Sequence, residues 1–225
     1  MLRRIAGLVG YVALFAAFLF GGAGTLHWRA AWILLAVLLV VRGISTVRLY
    51  TLQPELLEER SKLPIQAGQV SADRVLVLAF MATFAAVIAF AAMDRWRLHL
   101  FAALPLWLRV AGLAAFAAGW WIVHLALAAN AFAVTVVRYQ GERGHVVTDN
   151  GPYRIVRHPM YAGLPLVMVG LSTWLGSAAA VIASVVPVAI MVVRILVEER
   201  MLRAQLAGYD AYASRVRWRL LPGVW

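Results

Sequence analysis

A polar run just before the last apolar stretch of the chain could form a binding site. It reads Gly-Pro-Tyr-Arg-Ile-Val-Arg-His-Pro over 151–159. The Gly-Pro pair favours a turn, and the proline after His158 disfavours helix there and suits the first turn of a new helix. The free N–H groups of such a helix start suit a carboxylate or a phosphate. The same residues could instead form a collar of Arg, Tyr and His that anchors a helix at a membrane surface.

A second polar run follows the last apolar stretch. Arg194 and Glu198 are four residues apart on a predicted helix and can form an ion pair, and Glu199 follows directly. Adjacent carboxylates at a membrane exit are costly against lipid, which favours a cavity, a partner or water beside them. A solvated helix end with a local ion pair is the simpler alternative. A hairpin between the two runs would bring both to one membrane face, where they could line one small-molecule pocket.

The elements that position these runs follow from composition. The chain is 64% hydrophobic and 14% charged, whereas about a quarter of the residues of soluble domains are charged. A membrane span needs about 20 apolar residues, and the chain offers such stretches at 5–26, 30–50, 75–93 and 110–129, with a longer one at 160–193. The longest would be a helix of ~51 Å, which exceeds a bilayer core of about 30 Å. Gly176-Ser177 near its middle therefore predicts a hairpin of two short segments, 160–175 and 178–197, and Pro187 favours a kink in the second.

The predicted fold is all-α, a polytopic transmembrane helical bundle of about six membrane segments in one membrane domain, 1–225. Four spans and a cytosolic loop at 51–74 occupy 1–129. The hairpin 160–197 and a C-terminal tail occupy 130–225. With both termini in the cytoplasm, only a few of the 21 Lys and Arg residues lie outside, as the positive-inside rule favours. The outside residues are Arg29, Arg95, Arg97 and Arg109.

The formal charge of +11 does not indicate nucleic-acid binding. The basic residues are spread over cytoplasmic loops and form no groove-reading element, so membrane lipids are the predicted partners. Arg3 and Arg4 before the first apolar stretch imitate a signal peptide, but no clear cleavage site follows, and an uncleaved first helix is predicted. The absence of Cys excludes thiolate metal sites and disulfides, and no metal site is predicted.

Four motifs occur in order near the end of the chain: RHPMYAG at 157–163, EERML at 198–202, GYDAY at 208–212 and the ending RLLPGVW. Together they resemble the isoprenylcysteine carboxyl methyltransferase family. More broadly, they resemble the membrane methyltransferase superfamily that also holds phospholipid N-methyltransferases and thiol methyltransferases. The upstream runs PELLEER and NAFAVTVVRYQGERGHVVTDNGPY look like bacterial members, which implies a prokaryotic inner membrane.

The resemblance implies S-adenosylmethionine as the methyl donor. The chain has no G-x-G-x-x-G motif after a strand, and members of this family bind the donor without a Rossmann fold, in a cytosolic-facing pocket of the last helices and tail. Either glutamate of the second run would accept from its ribose hydroxyls or amino group, and tyrosines would pack its adenine. The implied cofactor-binding residues are Tyr153, Arg157, His158, Pro159, Tyr161, Gly163, Glu198, Glu199, Tyr209 and Tyr212.

The resemblance further implies a lipophilic small-molecule acceptor, with a prenylcysteine-like carboxylate expected. A carboxylate needs a positioned cation, and Arg194 matches a family arginine, although it could merely pair with Glu198. An amine or thiol would need a base, for which His124 is the candidate, although a packing hydrogen bond is its alternative role. The predicted substrate-binding residues are Asn130, Arg138 and Arg154.

A small non-enzymatic transporter is the competing hypothesis. Polar side chains within predicted spans, at His124 and Arg194, and the broken last helix favour it. The sequence lacks the paired polar sites in two matching halves that a repeat-built transporter would have.

Overall fold

The computed structural model describes the backbone of residues 2–225 and the side chains of residues 6–225. The side chains of Arg3 and Arg4, and with them the prediction for these two residues, lie outside the described part. The α-helices are α1 (Leu2–Ala23), α2 (Arg29–Leu52), α3 (Pro54–Arg60), α4 (Ser71–Met93), α5 (Leu106–Ala129), α6 (Pro159–Leu175), α7 (Ala178–Ala183), α8 (Val185–Gln205) and α9 (Tyr209–Arg215). No strand occurs among residues 2–225, where one isolated bridge joins Gln69 and Arg138.

The predicted helical bundle is confirmed. Within the described residues, five helices are long and apolar enough to span a membrane, where α7 and α8 together count as one and α4 includes the following π-helical turn. The apolar helix α6 is shorter, at 17 residues. Helix α1 packs on α4, α4 on α8, and α2 on α5. The core between them is formed by fully buried apolar side chains, among them Leu19, Leu34, Leu38, Ile88, Phe116, Leu127 and Leu171.

Helices α5 and α6 pack with their backbones in close approach, because glycines face each other across the pair. A Cβ atom added to Gly163 would lie 2.5 Å from the carbonyl oxygen of Gly119, and one added to Gly170 would lie 2.5 Å from the amide nitrogen of Phe116. Such approaches are how helices associate in membranes, where dispersion contacts and not water exclusion drive packing. Gly163, predicted to line the cofactor, is one of these packing residues.

The predicted hairpin is confirmed, and its turn lies at Gly176-Ser177. Gly176 ends α6 in the left-handed conformation at φ 85°, which glycine adopts without strain. The amide of Ser177 donates to the carbonyl of Ser172 at 3.0 Å. The Ser177 hydroxyl then caps α7 by accepting from the amide of Ala180, also at 3.0 Å. These bonds satisfy the amides of Ser177 and Ala180 where the apolar run reverses.

The returning limb is interrupted at Ser184, between α7 and α8. Pro187 lies three residues further on, in the first turn of α8, where its missing N–H removes no helical bond. The Ser184 hydroxyl donates to the carbonyl of Ala180 at 2.8 Å. The predicted kink at Pro187 is therefore wrong, because the limb is interrupted at Ser184 and the proline lies in the first turn of the new helix.

The polar segments gather at one end of the bundle. This end holds the α2–α3–α4 connection, the loop 130–158 and the C-terminal tail, whereas the α1–α2, α4–α5 and α6–α7 connections lie at the other. The loop carries two 3₁₀ turns, Gly141–Arg143 and Gly151–Arg154. Because the two polar runs lie at the same end, the predicted convergence of both onto one face is confirmed.

Candidate functional site

A recess with an empty volume of about 750 Å³, part of which is open to solvent, lies at this polar end. Its walls come from the loop 130–148, the start of α6, the end of α8 and the start of α9. Several predicted cofactor residues line it, namely Tyr153, Arg157, His158, Tyr161, Glu198, Tyr209 and Tyr212. The predicted residues Asn130 and Arg138 line it as well.

Glu199 holds the C-terminal tail against the start of α6 and does not line the recess. Its carboxylate accepts from Arg157 Nε at 2.7 Å and Arg219 Nε at 3.0 Å, and lies 3.2 Å from His158 Nε2. Arg157 also donates to the carbonyls of Val216 and Arg217. The backbone amides of 157 and 158 donate to tail carbonyls at 2.9 Å. The carboxylate of Glu199 is therefore fully occupied by cationic groups of the chain.

Glu198 faces the recess. One of its carboxylate oxygens accepts from the Tyr161 hydroxyl at 2.9 Å, and Glu198 lies on the recess wall whereas Glu199 does not. Of the two adjacent glutamates, only Glu198 thus presents a carboxylate to a molecule in the recess. It can accept hydrogen bonds there from hydroxyl or ammonium groups.

Buried tyrosines form the aromatic part of the wall. Burial raises the pKa of Tyr153, Tyr209 and Tyr212, so these hydroxyls remain protonated and can donate. The Tyr212 hydroxyl donates to the carbonyl of Tyr153 at 2.8 Å. The buried Tyr209 hydroxyl has no hydrogen-bond partner among the described residues. An unpartnered buried hydroxyl is costly, and a bound polar molecule could satisfy it.

His145 also lines the recess, a position that no sequence motif predicted. Its ring lies against Phe132, with ring centroids 4.6 Å apart, and near Tyr139. Burial, with the positive charge of Arg143, lowers the pKa of His145 to about 4. The imidazole is therefore neutral at physiological pH and contributes an aromatic face, while its Nδ1 accepts from the amide of Gln140 at 3.4 Å.

A second, apolar cavity lies deeper, among α1, α4, α5, α6 and α8. Its empty volume is about 1120 Å³. Aromatic and aliphatic side chains form most of its wall, including Phe15, Phe18, Phe80, Phe84 and Ile88. Three cations, Arg42, Arg60 and Arg194, also line it. Such a cavity suits a lipophilic molecule with one charged or polar group.

The recess and the apolar cavity share a wall at the start of α6. Met160 and Tyr161 line both. These two residues separate the apolar cavity from the polar recess, and the Tyr161 hydroxyl donates to Glu198 on the recess side. The two chambers are therefore adjacent at the start of α6.

Arg194 pairs with Asp73, so the predicted ion pair with Glu198 is wrong. Arg194 Nε lies 2.6 Å from Asp73 Oδ1, and its NH2 donates to the carbonyl of Thr135 at 2.6 Å. The other oxygen of Asp73 accepts from Gln69 and from the amide of Val137. Asp73 is 0% exposed, and a buried cation needs such a partner. Glu198, four residues along the same helix, could be identified as a possible partner from the sequence alone. The proximity of Arg194 to Asp73 on α4 could not.

Arg60 and Arg42 are functional candidates that the site prediction missed. Arg60 donates to the carbonyl of Ala133 at 2.6 Å and lies 3.7 Å from the sulfur of Met160 in the shared wall. Burial, with the charge of Arg42, lowers the pKa of Arg60 to about 10, which leaves it cationic. Arg42 lies over the rings of Tyr11 and Trp120. Neither forms an ion pair within the described part of the chain. The sequence feature that could have identified Arg42 as a functional candidate is its charge inside a predicted membrane span.

The remaining predicted residues lie outside both chambers. His124 is buried and bonded to the Ser45 hydroxyl at 3.0 Å. Arg154 is exposed, and Pro159 forms the first turn of α6. None of the three lines the recess or the apolar cavity. For the loop residues, Arg138 pairs with Glu59 and Glu142, and Asn130 accepts from the amide of Phe132.

Comparison with known proteins supports the predicted resemblance. A family model described as phospholipid methyltransferase matches residues 107–207, from the start of α5 to just beyond the end of α8. No curated protein matches the chain. The matched region contains both shared-wall residues, both glutamates and Arg194. With its apolar helices, the chain is an integral membrane protein whose residues 107–207 are similar to the phospholipid methyltransferase family.

Proposed function

We propose that this membrane methyltransferase transfers a methyl group from S-adenosylmethionine in the recess to the carboxylate of a lipophilic acid in the apolar cavity. The observation that carries the proposal is the shared wall. Met160 and Tyr161 border both chambers, so a donor and an acceptor bound on either side meet there. Methyl transfer needs such an alignment of donor and acceptor more than it needs acid–base groups.

The recess fits the donor by its chemistry. Glu198 offers a carboxylate for a diol or an ammonium group, the Tyr209 hydroxyl is unpartnered, and the aromatic wall includes Phe132 and neutral His145. Glu199 is already neutralised by Arg157 and Arg219. A sulfonium bound there would therefore face aromatic rings and Glu198. The donor supplies an electrophilic methyl group on a cationic sulfur.

The apolar cavity fits an acid with a hydrocarbon tail. The tail would lie among phenylalanines of α1 and α4, and Arg60 lies next to Met160, where the carboxylate has to be. Arg194 lines the same cavity, but its charge is shared with Asp73. Arg60 therefore joins Arg194 as a candidate for positioning the carboxylate, and it is the one without a carboxylate partner among the described residues.

In this reaction a carboxylate oxygen forms a bond to the methyl carbon while the carbon–sulfur bond breaks. The bonding pair goes to sulfur, which leaves as a neutral thioether, and no proton has to move. The step therefore requires no general base at the shared wall, where the Tyr161 hydroxyl is bound to Glu198. The proposed reaction also assigns no catalytic step to His124, which is bonded to Ser45.

A lipid amine is the alternative acceptor, and the family match favours it. An amine would have to lose a proton before or during transfer. Glu198 could accept that proton through Tyr161, which lies between it and the cavity.

The acceptor class can be tested with the detergent-purified protein. The donor carries a labelled methyl group, and the acceptors are a long-chain carboxylic acid and the amine and thiol of the same chain length. Titration calorimetry with S-adenosylhomocysteine first tests the donor site. We expect S-adenosylhomocysteine to bind. We also expect label on the acid, and because that product is a methyl ester, alkali should release the label as methanol. Label retained after alkali on the amine or thiol, with none on the acid, would contradict the carboxylate proposal.

A matched pair of variants tests the role of Arg60. Arg60→Gln should raise the KM for the acid roughly tenfold, because one charge-assisted contact is lost. The control Arg48→Gln removes an exposed arginine that lies over Trp121 and lines neither chamber. Equal KM values for both variants and the native protein would show that Arg60 does not bind the acceptor.

A further inference from the structure

The end of the bundle opposite the cofactor recess carries an unexplained basic recess. It is lined by Arg29 at the start of α2, Arg95 in the π-helical turn after α4, and Arg109 in the first turns of α5. Trp28, Ala30, Trp96 and His99 complete the wall, and the two tryptophan rings have centroids 6.1 Å apart in an edge-to-face arrangement. The empty volume is about 720 Å³.

The positive charge of this recess is not compensated. Within the described residues, none of the three arginines forms an ion pair. Asp94 is the acidic residue of this end, and it is 3% exposed. Its two oxygens accept from the Ser177 hydroxyl at 2.5 Å and the amide of Leu100 at 2.9 Å. Asp94 therefore stabilises the hairpin turn and leaves the guanidinium groups without a counter-ion.

The chain holds the arginines together although their charges repel. Arg109 Nε donates to the carbonyl of Trp174 at 3.0 Å, which fixes it beside the α6–α7 turn. A Cβ atom on Gly176 in that turn would lie 3.6 Å from Arg109 Nε and 3.7 Å from Arg95 Cδ. Both side chains thus lie beside the same turn. Arginines that only anchor helices would spread outward toward separate lipids, whereas these border one cavity.

We propose that this recess binds a phosphate group. Planar guanidinium forks from three elements match the several oxygens of a phosphate. The two tryptophans are typical of the headgroup depth of a membrane, which is where a lipid phosphate lies. A free phosphate ion has the same chemistry and could enter from solvent. The site lies at the membrane face opposite the methyl-transfer site and does not depend on the proposed reaction.

The test uses the full-length protein in detergent and the double variant Arg29→Gln/Arg95→Gln, which keeps the packing contact of Arg109 with Trp174. Native mass spectrometry measures retention of phosphatidylglycerol against a diacylglycerol with the same tails but no phosphate. Calorimetry measures binding of inorganic phosphate. The control Arg74→Gln removes an exposed arginine at the other end of α4, away from this recess.

We expect the native protein and the control to retain phosphatidylglycerol over diacylglycerol. The double variant should lose affinity by roughly tenfold for each guanidinium removed. Loss of inorganic phosphate binding in the variant, with lipid retention unchanged, would support the proposal with the free ion as ligand. If a folded double variant, with an unchanged unfolding temperature, binds both probes like the native protein, the proposal is overturned. Should that variant unfold, Arg95→Lys, which keeps the charge but not the fork, must weaken binding for the proposal to stand.

Discussion

Neutralising the two adjacent glutamates should damage the protein in different ways. Glu199 is 3% exposed and binds Arg157, Arg219 and His158, whereas Glu198 binds the Tyr161 hydroxyl and faces the recess. Glu199→Gln should therefore loosen the C-terminal tail and lower stability. Glu198→Gln should leave the fold intact and weaken donor binding.

The magnitudes follow from the contacts. Removing one partner of a buried ion pair costs about 3–5 kcal/mol, and because an amide still accepts one hydrogen bond, we expect about 3 kcal/mol for Glu199→Gln. For a chain of this length that is a fall in unfolding temperature of roughly 6–12 °C. Glu198→Gln loses no ion pair within the described residues and keeps an acceptor for Tyr161. Its cost should stay below about 1 kcal/mol, while its Kd for S-adenosylhomocysteine should rise roughly tenfold.

Thermal unfolding in detergent gives the first quantity, and calorimetry well below the unfolding temperature gives the second. The two variants serve as controls for each other, because they remove the same charge from neighbouring positions. Native-like unfolding of Glu199→Gln would refute the view that this carboxylate holds the tail. Native-like binding by Glu198→Gln would show that the recess does not use Glu198 to hold the donor.

Three further changes test other parts of the molecule. Gly163→Ala should lower the unfolding temperature in detergent, because its methyl group would lie 2.5 Å from a backbone carbonyl of α5, whereas Gly10→Ala, with nothing within 4 Å, should not. The pKa of His145 is lowered from 6.5 to about 4, so its neutral form stabilises the fold fully above pH 6.5, and that contribution is lost as the pH falls toward 4. His145→Asn should thus reduce the acid-induced fall in unfolding temperature over this range, and the exposed control His27→Asn should not. Tyr161→Phe should retain both kcat with an acid acceptor and the calorimetric affinity for S-adenosylhomocysteine, because its ring still forms the shared wall and the proposed reaction takes no proton from its hydroxyl; a large fall in kcat would show that this hydroxyl takes part in the transfer.

The membrane segments could be predicted because each signal is local. A bilayer fixes the length and polarity of a span, and the long run at 160–193 exceeds that length, so a turn was required inside it. Gly176 could be identified as the turn because only glycine adopts its left-handed backbone conformation without strain. The break at Ser184, rather than at Pro187, was not predictable, since the proline fits a helix start as well as a kink.

The site was only partly predictable, because its partners come from distant parts of the chain. The hairpin argument brought Glu198 and Glu199 to the polar run at 157–163, but adjacent residues on a helix point about 100° apart, and only packing decides which one faces the recess. The partner of Arg194 lies on α4, at Asp73, far from the motifs. No pattern within a single sequence links Arg194 to Asp73.

The charges around the apolar cavity give the sharpest distinction between acceptors. Arg42 and Arg60 lack ion pairs within the described residues. At ~6 Å and an effective dielectric constant of ~20, each would repel an ammonium group by about 3 kcal/mol and attract a carboxylate by as much. An amine would therefore have to bind in its neutral form, and its methylation rate should rise with pH between about pH 7 and pH 9. A carboxylate is ionised throughout that range, so its rate should be flat. Label transfer measured across this range with each acceptor tests the difference, and a steep rise for the acid would mean that a base assists the step, contrary to the proposed reaction.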